Sequence, residues 1–404
     1  MERELRGSGA ALASRSRAAP GPWWRNERAL RVLFQVLFLA AVALAAGALY
    51  ANMLRGLDRL GLTLNVGFLD QEAGFGISEG IAYAPSDTYG RAFVLGAVNT
   101  LRVSGLGIAM ATVLGLVAGV ARLSGNWLVR QLSGLYVEVF RNTPVLLQLL
   151  FWYAAVMLSM PPVRRSLHLG DLIFITQRGV YLARAHATGS SLSWLALVGG
   201  AALMGTAVGG LTRMLREEPR GPWRYLPWMG ALLGAAAGWA LARWLLAAPP
   251  LVLEVPRLQG FNFRGGIHGS PEFTALLLGL VVYTGAFIAE VVRAGVLAVG
   301  KGQREAAEAL GLSRFQVMRV VILPQALRVI IPPLTSQYLN LAKNSSLAIA
   351  IGFPDLFNVG NTMLNQTGQS IPVFGLIMAS YLAMSLFTSL LMNLYNRRVK
   401  LVER

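Results

Sequence analysis

The chain has 404 residues, 55% of them hydrophobic and only 14% charged, with a formal net charge of +17 and no cysteine. Soluble domains carry about a quarter charged residues, so this composition excludes an ordinary soluble protein and points to an integral membrane protein. The lack of cysteine excludes disulfides, thiolate metal sites and cysteine nucleophiles, and the basic residues form no RNA-binding signature, so no nucleic-acid partner is expected.

A helix needs about 20 apolar residues to cross a bilayer. Residues 1–28 form a basic tail, and Ala29–Leu54 is too long an apolar run for a signal peptide, so it reads as an uncleaved first helix. Further spans are expected at Ala92–Ala121, Leu135–Met160, Trp194–Leu211, Leu226–Leu246, Glu272–Leu297, Pro324–Ile351 and Pro372–Tyr395, which makes eight. Residues 55–91 form an outer loop, 92–160 and 272–395 the two parts of a helical core, and 396–404 a second tail. Between the core parts, 161–271 reads as an insertion of two helices. The histidines His168, His186 and His268 lie in expected loops, without metal-site spacing.

Lysine and arginine gather on the side that faces the cytoplasm. With the first tail inside, the inner segments hold 23 of them and the outer segments 9. Both termini are therefore expected to be cytoplasmic. An insertion between oriented spans must contain an even number of helices, and two satisfies that.

One inner segment stands apart. "REAAEALGLSRFQVMRVVILPQAL" (Arg304–Leu327) is charged and amphipathic between two hydrophobic spans. Arg304–Leu310 is made of strong helix formers, and Gly311 can end that helix with a positive φ. Ser313 can then cap a second helix over Arg314–Ile322, with Gln316 at the capping-box position. Pro324 starts the next span. The small Ala306 and Ala307 invite close approach by another protein, and Glu305 offers it a charge. The competing reading is a surface hairpin anchored in lipid headgroups.

Glu305-Ala306-Ala307, Gly311, Val321 and Leu323-Pro324 together resemble the "EAA" signature of the membrane permeases of ATP-binding-cassette importers, with Val321 where isoleucine is usual. Asn99–Gly107, Arg122–Leu149, Tyr283–Gln316 and Leu323–Leu356 look like the polar amino-acid uptake permeases. The long form resembles general L-amino-acid or glutamate/glutamine permease subunits. The resemblance implies an all-α polytopic fold of the type I importer permeases, with a five-helix core plus one N-terminal and two inserted helices. It implies that the loop at about 299–322 docks as a coupling helix on a separate ATPase. No Gly-x-x-x-x-Gly-Lys-Ser/Thr loop occurs in the chain. ATP and Mg are therefore expected on that partner, with no cofactor on this chain and no enzymatic activity of its own.

The implied partners are two ATPase subunits, a second permease (a copy or a related chain) and a periplasmic amino-acid-binding protein, in a bacterial inner membrane. In the family, "RNTP" (Arg141–Pro144) lies at a tight helix start, where Asn142 or Thr143 can cap and Pro144 suits the first turn. Lys343, Asn344, Ser345 and Ser346 interrupt the seventh span and could meet a zwitterionic solute. A break satisfied by neighbouring helices is the alternative. Gly285 and Glu290 could line the same path, although Glu290 and Arg293, at i and i+3, also read as a structural pair. Arg102, near Asn99 and Thr100, is a further ionisable group at depth. An ion-gradient transporter would show paired broken helices, and only one break is expected here. A scaffold without transport would need neither a coupling helix nor a polar core.

Overall fold

The computed structural model describes residues 27–59, 66–214, 225–246 and 248–399. The basic tail up to residue 26, the loop 215–224 and the end beyond residue 399 lie outside the described residues. Helix α1 (Glu27–Arg59) forms a unit by itself, and the chain from Val66 onward forms another. The 33 residues of α1 make a rod about 50 Å long. Its Leu30–Gly56 stretch is apolar, with Phe34, Phe38 and Leu44 exposed, as a lipid-facing helix requires.

In the second unit, α2 (Tyr89–Ala121) starts at Thr88, whose hydroxyl accepts from the Arg91 amide at 3.3 Å. It packs along α7 (Pro271–Leu297), which starts at Ser270 with its hydroxyl accepting from the Phe273 amide at 3.0 Å. Small residues let the two backbones approach. A Cβ on Gly115 would lie 2.5 Å from Ile288, and one on Gly119 would lie 2.8 Å from the Ala289 carbonyl oxygen. Without a hydrophobic drive between helices in lipid, such close packing is what holds them together.

The span expected at Leu135–Met160 is not one helix. Helix α3 (Trp127–Asn142) ends at Thr143, and α4 (Val145–Leu150) runs on into a π-wound stretch, Phe151–Met157. Glu138, Arg141 and Pro144 supply the polar groups and the missing amide that interrupt it. The chain therefore has a second discontinuity besides the one near Lys343, where a single break was expected.

The insertion holds more than two helices. Helices α5 (Ser191–Met214) and α6 (Leu226–Leu245) pair tightly, and a Cβ on Gly205 would strike the Gly230 carbonyl while one on Gly230 would strike that of Gly205. Around them, among the described residues, lie eight short strands. Strands β1 (Leu167–Leu169), β2 (Ile173–Thr176), β3 (Gly179–Leu182) and β8 (Ile267–Gly269) form an antiparallel sheet in that order. Strand β4 (Arg184–Ala187), which leads into α5, pairs with β5 (Leu251–Glu254), which follows α6. Both ends of the helix pair therefore meet on one side, as an even-numbered insertion demands. Strands β6 (Arg257–Gln259) and β7 (Asn262–Arg264) form a hairpin.

After α7 come α8 (Lys301–Ala309), α9 (Arg314–Gln316), a π-wound stretch Val317–Ile322, and α10 (Leu323–Asn344). A 3-10 stretch (Ser345–Ile351), α11 (Leu356–Thr367) and α12 (Ser370–Val399) complete the chain. Among the described residues six helices are long and apolar enough to cross a membrane: α1, α2, α5, α7, the continuous run Arg314–Ile351, and α12. Of the eight expected spans, the two missing from that set are the interrupted one and α6, whose Pro227, Arg243 and three tryptophans lower its apolarity.

Candidate functional site

The segment after α7 folds as the helix–turn–helix expected. Gly311 has φ +77°. Its amide donates to the Glu308 carbonyl at 3.0 Å and the Leu312 amide to the Ala307 carbonyl at 3.3 Å, the two bonds of a Schellman ending. Ser313 and Gln316 then form a reciprocal capping box, with bonds of 3.4 and 2.9 Å. The second helix is mostly π-wound rather than α-helical, and Pro324 lies in the first turn of α10 as expected.

Within this hairpin the signature residues divide by role. Ala307 is buried against Val317 and Ile322, so it packs the turn and offers nothing outward. Glu305 and Ala306 are exposed, together with Leu310 and Phe315. The exposed residues thus include Glu305, the Arg304–Glu308 ion pair at 3.0 Å and apolar side chains, on a turn fixed by its caps.

Just inside the membrane end of α7, Glu290 is gripped twice. Arg293 donates to its carboxylate from Nε at 3.1 and 3.2 Å, and Arg122, the C-cap of α2, reaches it from the neighbouring helix. Beside them Arg141 lies over the Phe287 ring at 5.1 Å. Arg141, Phe287 and Glu290, with Val329, Pro333 and Gln337 of α10, line a cavity of about 270 Å³.

The other path candidates lie elsewhere. α7 and α10 run antiparallel: Gly295 faces Ile330, while Phe273 at the other end of α7 has its ring 5.9 Å from that of Phe353, which follows α10. Lys343–Ser346 do not line the Glu290 cavity, which reaches along α10 as far as Gln337, about 9 Å of helix rise before Lys343. Lys343 is exposed and Asn344 partly so. Ser345 is buried, and its hydroxyl donates to the Ala342 carbonyl at 2.9 Å; that of Ser346 donates to the Lys343 carbonyl at 2.8 Å. The two serines therefore satisfy the change from α to 3-10 winding. Gly285 does not line an opening: a Cβ there would lie 2.8 Å from the Tyr136 hydroxyl and 3.1 Å from Leu114.

At "RNTP" the capping differs from the expectation. Pro144 itself takes the N-cap position, without a side-chain cap. Thr143 turns back to donate to the Val139 carbonyl at 2.8 Å, and the break is bridged by Gln148, whose amide donates to Phe140 and Thr143 carbonyls at 2.9 and 3.0 Å.

A buried polar knot at the outer end went unread in the sequence. Asn99 donates to the carbonyls of Glu79 and Pro354 at 3.0 and 2.9 Å, and Thr100 accepts from the Leu356 amide at 3.0 Å. Glu79 accepts from the Ser270 amide at 3.2 Å. Asp355, fully buried, caps α11 through the Asn358 amide at 2.9 Å and receives the Tyr381 hydroxyl at 3.3 Å. Burial raises the Asp355 carboxyl to about 6, against the lowering effect of these bonds. Arg102 lies next to the knot, over the Phe273 ring at 5.5 Å. The outer loop, α2, α7, α11 and α12 are thus tied together at one level. The only sequence signal was polarity inside an apolar span, at Asn99 and Thr100.

A multi-span helical core interrupted by an exposed, capped helical hairpin is the form of a transport permease driven from outside its own chain. The chain belongs to the family of binding-protein-dependent transport system inner membrane components, whose sequence model matches residues 111–401. It is 47% identical over 374 residues to YhdX of Escherichia coli, which is named for the amino-acid ABC transporter permeases; the match covers 92% of this chain and 94% of the relative. It is 42% identical over 375 residues to the general L-amino acid transport system permease protein AapQ of Rhizobium johnstonii, covering 92% and 93%. Identity to the glutamate/glutamine/aspartate/asparagine transport system permease protein BztB of Rhodobacter capsulatus is 40% over 411 residues, covering 93% and 94%. The chain is therefore a multi-pass permease subunit of an ABC importer rather than an enzyme, and ATPase and binding-protein partners follow from the family. The ion-gradient transporter and the scaffold are set aside.

Proposed function

We infer that this chain carries polar L-amino acids across a bacterial inner membrane, as one of two permeases paired about the path. The observation that carries the reading is the coupling hairpin: a Schellman turn and a capping box fix two short helices, with Glu305 and apolar side chains exposed on them. Two ATPase subunits, holding ATP and Mg, would grip one such hairpin from each permease, and their closure would move it. This chain holds no cofactor in that scheme.

Solute would arrive on a periplasmic amino-acid-binding protein at the outer face. The names of the relatives support amino acids as the solute class. Lys343, exposed, and Asn344, partly exposed, at the helical discontinuity are the groups best placed for the carboxylate of an entering zwitterion. Glu290, already neutralised by two arginines, belongs to the inner machinery.

Reconstitution tests this. The permease pair, its ATPases and the binding protein are placed in liposomes, and uptake of radiolabelled polar L-amino acids is followed with ATP on the ATPase side. Uptake that needs both ATP and the binding protein is expected. Uptake driven by an ion gradient without ATP would overturn the reading.

A further inference from the structure

The inserted module carries a site that this scheme leaves unused. Residues 162–165, the turn between β2 and β3, and the tip of the β6–β7 hairpin enclose a cavity of about 400 Å³. Arg164, Arg165, Gln177, Arg178 and Phe261 form its working walls, and no carboxylate lines it. Among the described residues, none of the three arginines takes part in an ion pair.

The walls are built rather than loose. The Gln177 amide donates to the Pro161 carbonyl at 3.0 Å, and the Arg165 amide to that of Pro162 at 2.8 Å. Arg178 Nη1 donates to the Phe261 carbonyl at 3.1 Å, while the Arg164 guanidinium lies 6.0 Å from the centre of the Phe261 ring. Beneath them Phe174, Tyr181 and Phe263 pack together, with Phe174 and Phe263 centred 4.6 Å apart. His268 Nε2 lies 3.0 Å from the Arg178 carbonyl and its ring stacks on Tyr181 at 4.4 Å. Three like charges therefore line one concavity and repel each other, with no ion-pair partner among the described residues.

Their place in the molecule narrows the occupant. Strand β8 runs straight into the Ser270 cap of α7, and Pro161 follows the end of the interrupted span. The cavity thus stands over the outer ends of core helices. It is not on the β4–β5 ladder that leads to the lipid-facing α5–α6 pair. Guanidiniums match carboxylates with two parallel hydrogen bonds, and Phe261, 78% exposed, adds an apolar contact at the rim.

We propose that this cavity is the docking site for an acidic face of the solute-delivering protein, whose Asp or Glu side chains enter between Arg164, Arg165 and Arg178. The proposal rests on the binding-protein-dependent reading above and gives the insertion its work: it steers and orients delivery. Charges at such a rim act mainly on encounter and register.

The test uses the whole reconstituted complex in nanodiscs, one set of phosphatidylcholine alone and one with phosphatidylglycerol added. ATP hydrolysis is measured while the same binding protein is titrated. Replacing the three residues together (Arg164→Gln, Arg165→Gln, Arg178→Gln) is expected to raise the half-saturating concentration about tenfold, with the saturated rate kept. Added salt should weaken the unaltered complex more than the variant. The pair Arg257→Gln and Arg264→Gln, on the same module but outside the cavity, should leave half-saturation where it was. An unchanged value in the triple variant, or an equal shift in the control pair, would overturn the site. So would a shift confined to phosphatidylglycerol nanodiscs, which would assign the cavity to lipid phosphate. If the unaltered complex ignored the binding protein altogether, the delivery reading itself would fall, and the docking site with it.

Discussion

Arg122 at the end of α2 is ion-paired with Glu290 of α7, 168 positions further along the chain, and Arg293 holds the same carboxylate from the other side. The pair closes the inner end of the closest helix contact in the core. It lies about two turns before α7 ends at Leu297, between α2 and the segment that leads into the hairpin.

Removing the shared carboxylate leaves two arginines, with Arg141 nearby, unneutralised at membrane depth. Glu290→Ala is therefore expected to cost about 2 kcal/mol, scaled down from a fully buried pair because both side chains are partly exposed. Arg122→Ala should cost less, since Arg293 stays on the carboxylate. Thermal unfolding of the purified complex orders the two variants, and equal losses would refute the shared grip.

The α2–α7 contact makes a second prediction. Gly115→Ala puts a methyl group 2.5 Å from Ile288 and 2.9 Å from the Gly285 carbonyl, so the helices must part, at about 1–3 kcal/mol. Gly105 on the same helix has nothing within 4 Å, and Gly105→Ala should be neutral or slightly stabilising. Melting temperatures of the two variants in one detergent decide it.

Gly311 has open space around it, so only its backbone is demanding. At φ +77° a β-branched residue is strained while asparagine is tolerated. Gly311→Val should abolish ATP-driven uptake with membrane insertion intact, and Gly311→Asn should keep most of it. Equal uptake by both variants would show that the turn does not matter.

Asp355 supplies a pH dependence. Burial lifts its folded carboxyl to about 6, above the value in an unfolded chain, so the folded state holds the proton more tightly. Its contribution is then fully present below the unfolded value and is lost as pH rises through about 6. Melting temperature should rise as pH falls from neutrality toward about 5, and Asp355→Asn should flatten that rise. An identical profile in the variant would exclude Asp355 as its source.

What the sequence disclosed follows from range. Gly311, Ser313 and Gln316 act within a few residues of one another, so their turn and cap were legible, as were the long apolar spans. Arg122 and Glu290 meet only after the helices pack, and Arg293 at i+3 was the partner in view. The β module was hidden for a related reason. Its strands have three or four residues, too few for a period of two to show, and β3 pairs with β8 across the whole α5–α6 insertion. At the interrupted span, Gln148 bridges the break from beyond Pro144, which local capping rules do not anticipate. Ala307 read as a contact for a partner because its smallness, not its direction, was visible.

The most direct test of the account is purification of this chain from its own membranes in mild detergent, with mass spectrometry of what accompanies it, for the unaltered chain and for Glu305→Lys. An ATPase subunit and a second permease are expected with the unaltered chain, and loss of the ATPase alone when Glu305 is reversed. An ATPase retained by the Glu305→Lys variant, or absent from the unaltered complex in several detergents, would contradict the coupling hairpin as the point of attachment.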